Sequence, residues 1–174
     1  MSKKINLLET GNMLLAAQKI VLCCHVSPDG DTLGSALGLT RLLEQKGKEV
    51  TVFVDDDINK SLSFIPGVDK VQRPEAGVIV EADLFVVVDA SSFDRVGICN
   101  EVVKAPVLLN IDHHISNTEF ADYLYLDAEA AAAEEGVSFQ VDVGAYDFDR
   151  GIDMFFPKYL QTEDFNEALG DNEA

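Results

Sequence analysis

Four short, largely apolar runs alternate along the chain with segments of helical periodicity. The runs span residues 20–24, 50–54, 84–88 and 107–111. Apolar residues recur at helical spacing over residues 6–18 and 32–45, and a shorter helix is predicted over 60–64. Apolar runs that do not alternate with polar residues are typical of strands buried on both faces. The pattern therefore predicts an α/β fold, an open and mostly parallel sheet with helices on both faces, joined by right-handed crossovers.

Charge and aromatic content divide the chain into two unlike parts. Residues 1–114 hold 16 acidic and 11 basic residues, a net charge of −5, whereas the 15 acidic and 2 basic residues of 115–174 give −13. Ten of the fourteen aromatic residues also follow residue 114. We therefore predict one domain over residues 1–135 and an acidic, aromatic-containing tail over 136–174, whose fold the pattern does not determine.

Composition excludes several classes of protein. No apolar run approaches the roughly 18–20 residues of a membrane span, and the N-terminus lacks an apolar signal core. Three cysteines make no disulfide framework, which predicts a cytoplasmic protein without a membrane partner. The net charge of −18 argues against binding in the grooves of duplex DNA, which needs a basic patch. Carboxylates that hold divalent metal ions could nevertheless receive a phosphate through those ions.

The candidate chemistry follows three of the four apolar runs. In an open parallel sheet, the residues beyond the carboxyl ends of the strands line one crevice. The side chains predicted there are His25, Asp29, Asp31, Asp89, Asp112, His113 and His114. Imidazole and carboxylate together favour Mn²⁺, Fe²⁺, Co²⁺ or Zn²⁺ over calcium. Since Asp29 and Asp31 flank Gly30 and Asp89 could bridge, the pattern predicts a site for two ions about 3.5–4 Å apart.

Simpler interpretations exist for each element taken alone. Pro28-Asp29-Gly30 is a common turn, Asp31-Thr32 could cap a helix, and Asp89 could cap the segment that follows it. The occurrence of such groups at three strand ends favours the metal site. Ser35, in the first turns of the next helix, is a candidate substrate-binding residue because helix N-terminal amides favour anions.

Three stretches of the sequence resemble a known family. HVSPDGD (25–31), VVVDASSFDRVG (86–97) and LNIDHHISN (109–117) are similar to motifs one to three of the DHH phosphoesterase family. The resemblance is strongest to the branch of nanoRNases and pAp phosphatases, which YLDAEAAAAE (125–134) also fits. It covers about residues 5–135, the front of the family's N-terminal domain.

The resemblance implies a pair of Mn²⁺ ions, for which Mg²⁺ or Co²⁺ could substitute. It implies that His25, Asp29 and Asp89 hold one ion. It implies that Asp31, Asp89 and His113 hold the second.

The resemblance also implies roles around the metal ions. His114 is implied to contact the scissile phosphate and Asp112 to orient a histidine from outside the metal shell. Arg95 either contacts phosphate or pairs with an acidic side chain. The nearest equivalent of the family's fourth motif is Val141–Gly144, which makes Asp142 a candidate metal ligand. The family's C-terminal substrate-binding domain has no counterpart here, so the sequence predicts an incomplete member.

Two classes of function follow from these observations. The first is a Mn²⁺-dependent phosphoesterase acting on short RNA or on nucleotides such as pAp, with pyrophosphate or polyphosphate as alternative substrates. The second is a truncated metal-binding module with weak catalysis or none. The sequence does not determine the oligomeric state and is compatible with a homodimer.

Overall fold

The computed structural model describes residues 1–128, which form a parallel sheet flanked by helices. The strands in chain order are β1 (Lys3–Lys4), β2 (Lys19–Cys23), β3 (Glu49–Phe53), β4 (Val80–Glu81), β5 (Leu84–Val88), β6 (Val103–Lys104), β7 (Leu108–Asp112) and β8 (Tyr123–Leu126). Six of them form one sheet in the order β1-β8-β7-β5-β2-β3, and all its pairings are parallel. The short strands β4 and β6 form a separate parallel pair.

Three α-helices lie between these strands in the described part of the chain. They are α1 (Leu7–Ala16), α2 (Gly30–Gln45) and α3 (Cys99–Val102), and 3₁₀ turns occupy Lys60–Leu62, Val68–Lys70 and Phe93–Val96. Helix α1 begins with a capping box, in which the Asn6 side chain accepts a hydrogen bond from the Glu9 amide and the Glu9 carboxylate accepts one from the Asn6 amide. None of the helices within residues 1–128 is long and apolar enough to cross a membrane.

Both faces of the sheet are buried, so the strands place apolar side chains on both faces. Ile20 and Leu22 of β2 point into one core with Leu33 of α2, while Val21 and Cys23 point into the other core on the opposite face. This arrangement explains why the apolar runs do not alternate with polar residues.

The α/β class and the mostly parallel sheet predicted from the sequence are confirmed. The predicted element boundaries differ from the observed ones by a few residues, and α2 begins at Gly30 rather than at Thr32. The pattern did not predict β1 or β8, which add two strands at one edge of the sheet. The predicted tail over 136–174 and Asp142 lie outside the described residues.

Strand register brings the candidate site together. Cys23 of β2 pairs with Val87 of β5, and Val88 of β5 pairs with Ile111 of β7. The residues that follow these three strands therefore meet at one edge, as the carboxyl ends of parallel strands must.

Candidate metal centre

Asp89 lies at the centre of the cluster, with Oδ2 facing His25 and Oδ1 facing His113 and, at 3.6 Å, Nδ1 of His114. Its Oδ2 is 3.7 Å from Nε2 of His25, and its Oδ1 is 3.1 Å from Nε2 of His113. The residue is only 6% exposed and has a left-handed backbone conformation, with φ of 58°. Such a conformation is uncommon outside glycine and tends to occur at functional sites. The backbone thus places one buried carboxylate between two imidazoles.

The first potential ligand set consists of His25, Asp29 and Asp89. Nδ1 of His25 lies 2.7 Å from the carbonyl oxygen of Val26, and a proton shared there leaves the Nε2 lone pair facing the carboxylates. That Nε2 is 3.8 Å from Oδ1 of Asp29, too far for a hydrogen bond. Ligand atoms about 2.1 Å from one ion stand roughly 3–3.5 Å apart, so this spacing is close to that of a shared cation.

The second potential set consists of Asp31, Asp89 and His113. Nε2 of His113 lies 3.7 Å from Oδ2 of Asp31 and 3.1 Å from Oδ1 of Asp89. Despite that short distance, Oδ1 of Asp89 is buried and has no aligned hydrogen-bond donor among the described residues. A buried carboxylate oxygen without a donor is costly, and a cation would compensate for it. The residues therefore fit divalent ions with mixed nitrogen and oxygen ligands.

The electrostatics of the cluster show how strongly its charges interact. Burial raises the pKa of Asp89, but the contacts with His113 and His25 outweigh burial and lower the pKa to about 2. Reciprocally, the contact with Asp89 outweighs burial and raises the pKa of His113 to about 9. For His25, burial is outweighed by the contacts with Asp89 and the Val26 carbonyl, so its pKa is also raised. A proton on His113 thus balances the charge of Asp89 in the metal-free protein.

Asp29 both caps helix α2 and faces the cluster. Its Oδ1 accepts hydrogen bonds from the amides of Asp31 at 3.0 Å and Thr32 at 3.1 Å. The cap that the sequence allowed for Asp31-Thr32 is therefore Asp29. The same oxygen is the one that lies 3.8 Å from Nε2 of His25, so Asp29 connects the start of α2 to the first ligand set.

The two candidate substrate-binding residues differ in their surroundings. Ser35 is buried one turn further into α2, and its hydroxyl lies 3.5 Å from Oδ1 of Asp31. The amides of the helix start that could receive an anion are instead occupied by Asp29. Arg95 places Nη2 3.2 Å from Nδ1 of His25, and its carbonyl accepts a hydrogen bond from the amide of Val26. Arg95 is thus a cation next to the first ligand set.

Asp112 and His114 form a hydrogen-bonded pair beside the second ligand set. Oδ1 of Asp112 lies 2.7 Å from Nδ1 of His114, whose side chain is 38% exposed. Asp89, Asp112, His113 and His114 come close enough to form one metal-binding group. The oxygens of Asp112 are already engaged by His114 and Asn117, however, so Asp112 is better suited to orient His114 than to bind an ion.

Sequence reasoning did not identify Asn110 and Asn117 as part of this site. Asn117 donates hydrogen bonds from its side chain to Asp112 and to Asn110, and Asn110 is buried in β7. A polar Asn in a strand that is otherwise apolar was the signal that could have drawn attention to Asn110. Both lie within the stretch 109–117.

Comparison with known proteins identifies relatives over most of the described region. The family model described as the DHH family, N-terminal domain, matches residues 19–160. A bifunctional oligoribonuclease and PAP phosphatase NrnA from Thermus thermophilus is 34% identical over 127 residues, covering 71% of this chain and 36% of that protein. The protein of the same name from Bacillus subtilis is 31% identical over 116 residues, covering 67% of this chain and 36% of its own length.

Two further relatives broaden the comparison. A probable manganese-dependent inorganic pyrophosphatase from Enterococcus faecalis is 25% identical over 128 residues, covering 71% of this chain and 40% of that protein. The crystal structure of an exopolyphosphatase-related protein from Bacteroides fragilis superposes with a TM-score of 0.64 at 24% identity, covering 94% of this chain and 47% of that one. This chain thus spans less than half the length of each of these relatives.

Proposed function

The chain belongs to the DHH family, and we propose that it is a Mn²⁺-dependent phosphoesterase that hydrolyses short oligoribonucleotides or nucleotides such as pAp. The observation that carries this proposal is the position of Asp89. Its two carboxylate oxygens face the imidazoles of His25 and His113 from one buried side chain. A carboxylate placed in this way would offer one oxygen to each of two adjacent metal ions.

Two Mn²⁺ ions would be held by the two ligand sets described above. His25, Asp29 and Asp89 would bind one ion, and Asp31, Asp89 and His113 would bind the other. Ions held there supply Lewis acidity, which favours ionisation of water near neutral pH and offsets the negative charge of a phosphate. Mg²⁺ and Co²⁺ are proposed substitutes, and Asp142, outside the described residues, remains a candidate ligand.

The side chains around the ligand sets would bind and orient the phosphate. Asp112 accepts a hydrogen bond from Nδ1 of His114, so Nε2 is the ring nitrogen left to face a phosphate oxygen, to which it would donate with a proton on both nitrogens. Arg95 brings a positive charge next to His25, and we propose that it contributes to phosphate binding. Ser35 would act indirectly, through its contact with Asp31.

The names of the relatives support the choice of substrate class. Two relatives are named as oligoribonucleases and PAP phosphatases, and one as a probable manganese-dependent pyrophosphatase. This chain covers only 36–40% of the length of those proteins, so their substrates are proposals for it. Cytoplasmic location, the lack of duplex DNA binding and a homodimer stay predictions from the sequence.

The proposal is tested by hydrolysis assays on the purified chain with Mn²⁺. A dinucleotide, pAp and pyrophosphate are compared at equal concentration, and the dinucleotide or pAp is expected to react fastest. Asp89→Asn should lower the rate by about 10²–10³-fold or more, the range for losing one group that stabilises developing charge. A preference for pyrophosphate would instead favour the pyrophosphatase alternative.

Asp83→Asn is the matched control for this experiment. Asp83 directly precedes β5, whereas Asp89 directly follows it, so the two carboxylates lie at opposite ends of one strand. Asp83 accepts hydrogen bonds from the amides of Gln18 and Lys19, away from the candidate metal centre. The control should retain the wild-type rate. Bound Mn²⁺ without turnover on any of the three substrates would identify a metal-binding module instead.

A further inference from the structure

The carboxylate of Asp112 is a buried charge whose two oxygens have different partners. Its side chain is fully buried, with an exposure of 0%. Oδ1 lies 2.7 Å from Nδ1 of His114, and Oδ2 accepts a hydrogen bond of 2.6 Å from Nδ2 of Asn117. The group that orients His114 is therefore itself oriented by a second side chain.

The amide of Asn117 has one orientation that satisfies all its neighbours. Its Nδ2 makes two short hydrogen bonds, to Oδ2 of Asp112 at 2.6 Å and to Oδ1 of Asn110 at 2.7 Å, and a longer contact of 3.5 Å with the carbonyl oxygen of Ala90. Its Oδ1 accepts a hydrogen bond of 2.7 Å from the amide of Glu119. Rotating the amide by 180° would place its oxygen against two other oxygens and its nitrogen against an N–H. The network thus determines which atom of Asn117 faces Asp112.

Asn110 anchors this arrangement to the neighbouring strand. It is fully buried in β7, and its Nδ2 donates to the carbonyl oxygens of Val87 at 3.2 Å and Ala90 at 3.3 Å. Those carbonyls lie on either side of Asp89 in the chain. A continuous series of hydrogen bonds therefore runs from the end of β5 through Asn110, Asn117 and Asp112 to His114.

We propose that Asn117 is a positioning residue for Asp112. By donating to Oδ2, it holds the Asp112 carboxylate so that Oδ1 faces Nδ1 of His114 and orients that ring. The inference builds on the proposed function, in which His114 contacts phosphate. Without the donor from Asn117, His114 is the remaining hydrogen-bond partner of the Asp112 carboxylate among those named above, and the terminal torsion of Asp112 has a broad energy minimum. Oδ2 of Asp112 and Oδ1 of Asn110 would also lose a buried hydrogen bond.

Kinetics with saturating Mn²⁺ provide the first test. Asn117→Ala is expected to lower kcat by about 10–100-fold, the usual effect of removing a group that orients an active-site residue. Thr118→Ala is the matched control, because Thr118 is the next residue of the same loop and its hydroxyl bonds to the carbonyl of Ser91 instead. It should leave kcat unchanged.

A double-mutant cycle separates positioning from general destabilisation. If Asn117 acts through His114, Asn117→Ala should have little further effect on kcat in the His114→Ala background. Should Asn117→Ala multiply the loss caused by His114→Ala by its full factor, the positioning role is refuted. If Asn117→Ala does not fold, Asn117→Ser, which keeps a hydrogen-bond donor on a shorter side chain, replaces it in the same cycle.

A readout without catalysis keeps the inference separate from the proposed function. The Nδ1–H proton of His114, shared with Asp112, should give a slowly exchanging signal in the imidazole region of the NMR spectrum of the wild-type chain. Asn117→Ala should broaden or abolish that signal, whereas Thr118→Ala should preserve it. An inactive wild type that shows this pattern would refute the proposed function and retain the positioning role. A signal unchanged in Asn117→Ala would refute the positioning role itself.

Discussion

The contact between Asp89 and His113 links the stability of the metal-free protein to pH. The pKa of His113 is raised to about 9, above its value of about 6.5 in an unfolded chain. The folded state therefore binds this proton more tightly than the unfolded state. The resulting stability is fully present below pH 6.5 and is lost as pH rises from 6.5 through 9.

The size of this effect follows from the pKa and from the exposure of the ring. Raising the pKa from 6.5 to about 9 corresponds to an upper limit of roughly 3.5 kcal/mol, at about 1.4 kcal/mol for each pH unit. The side chain of His113 is 34% exposed, so solvent screening reduces the expected contribution to about 1–2 kcal/mol. We expect the free energy of unfolding to fall by that amount between pH 6 and pH 9.5.

Urea unfolding at 25 °C with a chelator present measures this change directly. Asp89→Asn removes the negative charge that raises the pKa of His113, so the fall in unfolding free energy should largely disappear in that variant. Asp83→Asn, at the other end of β5, should retain the wild-type pH dependence. A wild-type stability that stays constant between pH 6 and 9.5, or an undiminished fall in Asp89→Asn, would refute this reasoning.

Three further predictions concern the site and its supporting fold. The apparent affinity for Mn²⁺, measured by calorimetry, should rise between pH 6 and 9, because His113 must lose its proton to bind a metal ion; an affinity independent of pH would contradict this. Gly97→Ala should lower the free energy of unfolding in urea by about 1–3 kcal/mol or more. Gly97 has a φ of 62°, and an added Cβ would lie 2.7 Å from Cβ of Asp55. Gly77→Ala, also at positive φ but with open space around it, is the control for the steric part of this loss. Leu22→Ala, in the fully buried centre of β2, should cost about 2–5 kcal/mol in the same assay, and a loss below 1 kcal/mol would contradict the assigned core.

The fold could be predicted from the sequence where a segment is buried on both faces. Strand β5 is wholly apolar, β2 is apolar after Lys19, and β7 is apolar apart from Asn110 and its final Asp112, so their positions and parallel pairing followed from the pattern. Strand β8 carries two tyrosines and only Leu124 is buried, while β1 is two residues long. Neither leaves a periodic signal, because their pairing depends on the sheet that is already present.

The candidate site was predictable as a set of residue types at strand ends, but its connections were not. Parallel strands bring His25, Asp89 and His113 to one edge whatever the details of the loops. The side-chain hydrogen bond from Asn117 to Asp112 depends on a turn of the backbone. In this turn the backbone N–H of Asn117 donates to the backbone carbonyl of His114. Likewise, the acidic residues after β3 form specific bonds, since Asp55 accepts from the amide of Ile98 and Asp56 from that of Ser27. Such contacts depend on loop conformation, which spacing in the sequence does not encode.

The number of Mn²⁺ ions bound by each chain tests the central claim most directly. Equilibrium dialysis followed by elemental analysis should find two Mn²⁺ ions per wild-type chain. Asp89→Asn should weaken both sites because Asp89 is shared between them, whereas His25→Ala and His113→Ala should each remove one ion. One ion or none in the wild type, or two ions retained in Asp89→Asn, would contradict a site for two metal ions bridged by Asp89.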